Sequence, residues 1–268
     1  MRKLANLVVL IKGAGEMASA VACRLQNSHF NICLTEIERP LAVSRGTTFS
    51  EAIFDGKKTI EGITAELTAC TAADIEGVWR RGNIPLIIDP EAKIRNEIKP
   101  DVLVDAISAK RNTGTAITDA PLVIGLGPGF SAGSDAHVVV ETLHDNSLGR
   151  IIYQGTAIKD NKTPVSLGGF SFERVVWAAH SGVFITEHEI GDSVVKHQIL
   201  GWLDTDTIEA PVNGMLRGLV RSGVCVPEGA KVVEIDPVHG KAVCDVVRDK
   251  WRAVAGGVLE AIMWKCNV

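Results

Sequence analysis

The feature that most constrains this chain is a strand, a glycine turn and a helix in immediate succession near its start. Residues 7–12, Leu-Val-Val-Leu-Ile-Lys, form a short apolar run suited to a strand buried on both faces. The run stops at Gly13-Ala14-Gly15 and passes into residues 16–25, where Met17, Val21 and Leu25 recur at helical spacing. Residues 31–36 then give a second strand, which ends in Glu36, 21 residues after Gly15. Two glycines let a backbone approach a pyrophosphate at a helix N-terminus, and an acid ending the second strand can accept from a ribose hydroxyl. Gly13, Ala14, Gly15, Glu16 and Glu36 are therefore candidate cofactor-binding residues, with Ala18 in place of the third glycine. Glu16 fits only if it points away from the phosphate.

The alternation continues through a strand at 60–67, a helix at 72–81 and strands at 84–89, 101–105 and 121–126. Strands alternating with helices predict an α/β fold, a Rossmann-like doubly wound parallel sheet. Asp89 and Asp105 close two of these strands, at the end where open α/β sheets bind ligands, although strand-end acids also serve as caps and turn residues. After the last strand, Gly125, Gly127, Gly129 and Gly133 fall within nine residues. Such a stretch either exposes successive N–H groups as an anion nest or makes a turn that needs positive φ. The first three glycines join the candidates.

The second half carries an internal repeat. A shift of 32 residues pairs Gly182 with Gly214, Gly191 with Gly223, Val194 with Val226, Leu200 with Val232 and Leu203 with Ile235. Alternating apolar residues and regular glycine turns predict a second, smaller all-β domain of two intertwined halves, resembling the barrel-sandwich hybrid of biotinyl and lipoyl carriers. The hairpin between the halves, within residues 202–209, has no lysine to carry a prosthetic group. The expected organisation is 1–150 for the first domain, 151–240 for the β domain, and 241–268 for a C-terminal helix packing back on the first.

Twenty-eight basic against 32 acidic residues give no basic field for nucleic acid. No apolar run approaches the roughly 18 residues of a membrane span, and Met1-Arg2-Lys3 does not begin a signal peptide, so a cytoplasmic protein is expected. The six cysteines are scattered and read as reduced, structural residues. His180, His188 and His197 match no compact metal motif, so no metal site is expected. The residues leave open a nucleotide-binding protein, an NAD(P)-dependent oxidoreductase and a ligand-sensing or scaffolding protein with a degenerate nucleotide fold. Against the second, Tyr153 lacks a lysine four residues on, where Ala157 stands.

Several strings resemble one family. Residues 13–20 (GAGEMASA), 35–43 (TEIERPLAV), 49–52 (FSEA), Glu141-Thr142 and above all 120–130 (APLVIGLGPGF) look like the YqeB family of the selenium-dependent molybdenum hydroxylase system. That family is distantly similar to the XdhC-type maturation factors of xanthine dehydrogenase. The resemblance covers nearly the whole chain. It implies an accessory or maturation role toward a selenium-dependent molybdenum hydroxylase as partner, with molybdenum cofactor or NAD(P) as candidate ligands. A cofactor-binding cysteine does not carry over, because Cys23 falls inside the first helix.

Overall fold

A computed structural model describes residues 7–160 and 163–266; Met1-Arg2-Lys3 lies outside them. The chain divides into two compact units, Met1–Glu38 with Phe49–Asn161 and Val247–Val268, and Arg39–Thr48 with Lys162–Val246.

The first unit is built on a nine-stranded sheet. Its strands are β1 (Val8–Lys12), β2 (Asn31–Glu36), β3 (Lys57–Ile60), β4 (Ile63–Leu67), β5 (Ile84–Ile88), β6 (Val102–Asp105), β7 (Leu122–Leu126), β9 (Val138–Val140) and β10 (Ile151–Ile152), in the order β10-β9-β7-β6-β1-β2-β5-β4-β3. A small ribbon pairs β8 (Ser131–Ala132) with β11 (Gly155–Thr156). The helices are α1 (Glu16–Gln26), α2 (Ala52–Asp55), α3 (Ala72–Arg80), α4 (Arg95–Ile98) and α5 (Asp249–Cys266). Period-two alternation sorts the strand residues between two cores. Val9, Ile11, Ile32, Leu34, Val102 and Val104 pack with α1 and α5, while Leu10, Cys33, Ile87, Leu103 and Val123 face Ile75 of α3 and the loop residues Ala92 and Ile94.

The doubly wound parallel sheet expected from the sequence is corrected to a mixed sheet. Its margins are antiparallel, β3 with β4 and β9 with β10. The expected single strand at 60–67 is a hairpin, because Glu61 and Gly62 adopt φ of 49° and 82° and turn the chain between β3 and β4. The expected run of crossover helices also fails. One turn of helix, α4, lies between β5 and β6, and only a 3-10 turn at Ile117–Asp119 lies between β6 and β7. That last connection is interrupted by Asn112, Thr113, Gly114 and Thr115 and offers no apolar helical period.

The second unit holds two four-stranded antiparallel sheets, which is the observed architecture in place of the barrel-sandwich label. One is β12-β19-β17-β14, from β12 (Val175–Trp177), β14 (Ser193–Val194), β17 (Gly214–Leu219) and β19 (Lys231–Asp236). The other is β16-β15-β13-β18, from β13 (Gly182–Ile185), β15 (Ile199–Leu203), β16 (Asp206–Glu209) and β18 (Val224–Val226). The 32-residue shift carries β12, β13, β14 and β15 onto β16, β17, β18 and β19. Each repeat lends one strand to the other's sheet, β14 to β17 and β18 to β13. Phe184, Leu200, Leu203, Leu216, Leu219 and Ile235 fill the space between the sheets.

Candidate functional site at the strand ends

From β1 the chain proceeds to β2 and outward, then returns to place β6 on the other side of β1. The direction of winding reverses between β1 and β6, and open α/β sheets bind ligands beyond the carboxyl ends of strands at such a point. Here the two strands end in paired residues, Lys12 and Asp105. Both are buried, and Lys12 Nζ lies 3.3 Å from Asp105 Oδ2. The buried Thr115 bridges them: its hydroxyl accepts from Lys12 Nζ at 2.6 Å and donates to Asp105 Oδ2 at 2.6 Å. Asn112 fixes that hydroxyl's backbone, taking the N–H groups of Gly114 and Thr115 on Oδ1 and giving Nδ2 to the Thr115 carbonyl. Asp105 Oδ1 accepts from Ile107 N at 3.2 Å, tying down the start of the exposed loop 107–111.

The glycine turn beside this cluster is closed on itself. Gly13 (φ 93°) donates to the Thr35 carbonyl at 2.9 Å. Ala14 N–H, one of the donors that would face an anion, goes to Glu36 Oε2 at 2.9 Å, while Ile37 N–H binds Glu36 Oε1 at 2.8 Å. Burial raises the Glu36 carboxyl above its ordinary range, against the lowering by those two N–H donors. The Ala14 carbonyl takes Ser50 N–H and the Ser19 hydroxyl, so residues 49–51 lie against the turn. Glu16 points to Arg248, 3.0 Å away, without hydrogen-bond alignment. Gly15 caps α1 with nothing within 4 Å of a built Cβ.

The other candidates fall elsewhere. Asp89 is buried and caps the Ile94 N–H at 2.8 Å. Gly127 donates to the Val140 carbonyl, and close packing accounts for the glycines of this loop. A Cβ would lie 2.5 Å from the Phe130 ring at Gly125, 2.3 Å from Thr142 Oγ1 at Gly127 and 2.6 Å from Arg111 Cα at Gly129. His137 Nδ1 accepts from Val123 N–H, and burial lowers its pKa. In the second unit His180, His188 and His197 pair with Asp206, Asp192 and Glu209. The structure thus joins Gly13, Ala14 and Glu36 in one network and Asp105 in another, with Lys12, Thr115 and Asn112. Sequence reasoning passed over those last three, and the one signal for Lys12 was a lysine closing an apolar strand.

Fold and site define a two-unit protein with a Lys-Thr-Asp cluster sealed at the winding reversal of a mixed α/β sheet. The chain belongs to the YqeB family: it is 41% identical over 256 residues, 96% of its length, to a protein of Escherichia coli (strain K12) named "Uncharacterized protein YqeB". It spans about half, 47%, of that relative's length. No family model matches the chain. Among solved structures, a succinylglutamate desuccinylase/aspartoacylase from Rhodobacter sphaeroides is 14% identical at a TM-score of 0.26, with 86% of each chain covered. The ectoine utilization protein EutE (DoeB) from Ruegeria pomeroyi is 12% identical at a TM-score of 0.26, covering 86% of this chain and 85% of that one. Similarity at that level defines neither a shared fold nor an activity. The expected doubly wound Rossmann sheet, and with it the nucleotide-binding, XdhC-like description, gives way to a mixed sheet with antiparallel margins, and YqeB membership stands in its place. Among the described residues, no helix is long and apolar enough to cross a membrane.

Proposed function

We propose that this chain is an accessory protein of the selenium-dependent molybdenum hydroxylase system, with the hydroxylase as its partner and the strand ends of β1 and β6 as its working site. Family membership and the shared strings, above all residues 120–130, support the system. The observation that carries the site is the buried Lys12–Thr115–Asp105 cluster at the winding reversal. Apolar residues of similar volume in place of a buried ion pair are often neutral or stabilising, so stability alone does not call for this pair. The Thr115 hydroxyl, held between an ammonium and a carboxylate, can pass a proton between them, and the ammonium has a further N–H for an anionic group. The ligand that the family resemblance suggests for this site is a pterin-type cofactor bearing a phosphate, with Lys110 and Arg111 of the exposed loop as its outer contacts.

The test is to make the hydroxylase in cells with and without this chain and compare its activity with its molybdenum and selenium content. The expected result is an inactive hydroxylase without the chain, restored by the natural sequence and not by Thr115→Val. A fully active, fully loaded hydroxylase in its absence overturns the proposal.

A further inference from the structure

The first unit holds a cavity that the strand-end site does not use. It lies where the C-terminal half of α1, the N-terminal half of α5 and the β3–β4 turn meet, and its volume is about 330 Å³. Ligand sites run from roughly 300 to 1,000 Å³, so a cavity of this size takes a small molecule. None of its lining residues belongs to the Lys12–Thr115–Asp105 cluster.

Two arginines and one glutamate set its charge. Arg24, exposed in the last turn of α1, gives one guanidinium N–H to the Arg252 carbonyl at 3.4 Å, and no carboxylate pairs with it among the described residues. A guanidinium carries five N–H donors in a planar fork, so Arg24 keeps the edge that a carboxylate takes with both oxygens. Arg252 is bound to Glu61 Oε1, which also accepts from Val247 N–H at 3.0 Å. Glu61 Oε2 accepts no hydrogen bond among the described residues, and this side chain lines the cavity. Two guanidinium groups against one carboxylate leave a local positive charge in a chain whose net charge is −4.

The rest of the wall is neutral. Ala20 and Ala255 are buried and small, Leu259 is half-buried, and Cys23 is buried beside them. Burial pushes the Cys23 thiol up to about 12, so it contributes no charge at neutral pH. The cavity therefore combines a free anion-binding edge, a free acceptor and an aliphatic wall. We propose that it binds a small aliphatic hydroxy acid, with the carboxylate on Arg24, the hydroxyl donating to Glu61 Oε2 and the carbon chain against Ala20, Ala255 and Leu259. An ammonium in place of the hydroxyl fits less well, because it would meet a carboxylate already neutralised by Arg252 and stand near two guanidinium groups. The hydroxylase reading is not a premise of this proposal, and the test below does not involve the hydroxylase.

The probes are 2-hydroxy-4-methylpentanoate, leucine and 4-methylpentanoate, which differ only in carrying a hydroxyl, an ammonium or a hydrogen at carbon 2. Each is titrated into the full chain by calorimetry. The hydroxy acid is expected to bind, the other two at least threefold more weakly, and its affinity to fall with salt. Arg24→Gln, at an exposed position, should lose at least tenfold, and Arg24→Lys, which keeps the charge but not the fork, should lose less. Arg80→Gln, which removes the exposed partner of Glu76 on α3 outside the cavity, should bind as the natural chain does. No binding of the hydroxy acid, equal binding by Arg24→Gln, or an equal loss in Arg80→Gln overturns the proposal. So does leucine or 4-methylpentanoate binding as tightly as the hydroxy acid, because the hydroxyl then meets no acceptor.

Discussion

Lys12 and Asp105 end adjacent parallel strands, with 3.3 Å between ammonium and carboxylate and the Thr115 hydroxyl bonded to both. Removing one member of a buried pair leaves the other charge uncompensated, so Lys12→Met should destabilise the chain by about 3–5 kcal/mol. Thr115→Val keeps the charges and removes the bridge, for a loss of about 1–3 kcal/mol. Replacing both charges, Lys12→Met with Asp105→Leu, should recover part of the first loss, because two buried desolvation costs vanish together. Urea unfolding of the four proteins measures this. A double variant less stable than Lys12→Met would show that the Ile107 N–H bond to Asp105, and not the charge pair, dominates.

Glu36 gives a pH dependence of definite sign. Burial raises its carboxyl in the folded chain, so between the unfolded pKa near 4.5 and the higher folded value the native state holds more protons than the unfolded one. Its contribution is fully present below about 4.5 and is lost as pH rises through the folded value. Glu36→Gln does not titrate, so the stability of the natural chain relative to this variant should decline as pH increases from 4.5 toward neutrality. Unfolding curves at several pH values check it, and a difference that grows over that range would reverse the sign.

Two glycines of the conspicuous GLGPGF string separate by what they touch. Gly127 (φ 77°) faces the end of the Thr142 side chain, which can rotate away, whereas Gly129 (φ 110°) faces the Arg111 backbone, which cannot. Gly127→Ala should therefore cost about 1–3 kcal/mol, mainly the positive-φ strain. Gly129→Ala should cost more, by displacing the loop 107–115 that carries Thr115. Thermal unfolding ranks the two. Equal losses would mean that the Arg111 backbone yields as readily as a side chain.

What the sequence disclosed depended on range. The β1-α1-β2 segment was legible because a buried strand and an amphipathic helix leave local periods, and so was the repeat, whose glycines recur at one interval. The β3-β4 hairpin read as a single strand, because Glu61 at the turn is not a residue that announces positive φ. The contact of Val43 and Arg45 with Leu219 of β17 left no trace, since the two segments are more than a hundred residues apart. The candidate site was half legible for the same reason. Asp105 stood out as a strand-end acid, while Lys12 was passed over, because its hydrogen-bond partner lies 103 residues distant. Glu36 stood at the spacing for a ribose but turned back onto Ala14, a choice that spacing alone does not reveal.

The second unit has its own buried ion pair. Arg174 NH1 donates to Glu234 Oε1 at 2.9 Å, and both side chains are almost wholly buried. Arg174 also gives Nε and NH2 to the Val165 carbonyl, at 3.2 and 2.7 Å, while Lys231 reaches the second Glu234 oxygen at 3.0 Å. One guanidinium thus joins the loop at Val165 to β19. Arg174→Met leaves the Val165 carbonyl without these donors, but Lys231 still partners Glu234. The loss should fall toward the low end of the roughly 3–5 kcal/mol for breaking a buried pair. Glu234→Leu strands a buried arginine with only the Val165 carbonyl, and should cost more. Hydrogen exchange should then show faster opening around Val165 in Arg174→Met, with β13 and β15 protected as before. Uniform acceleration across the unit would instead mean that the arginine holds the sandwich as a whole.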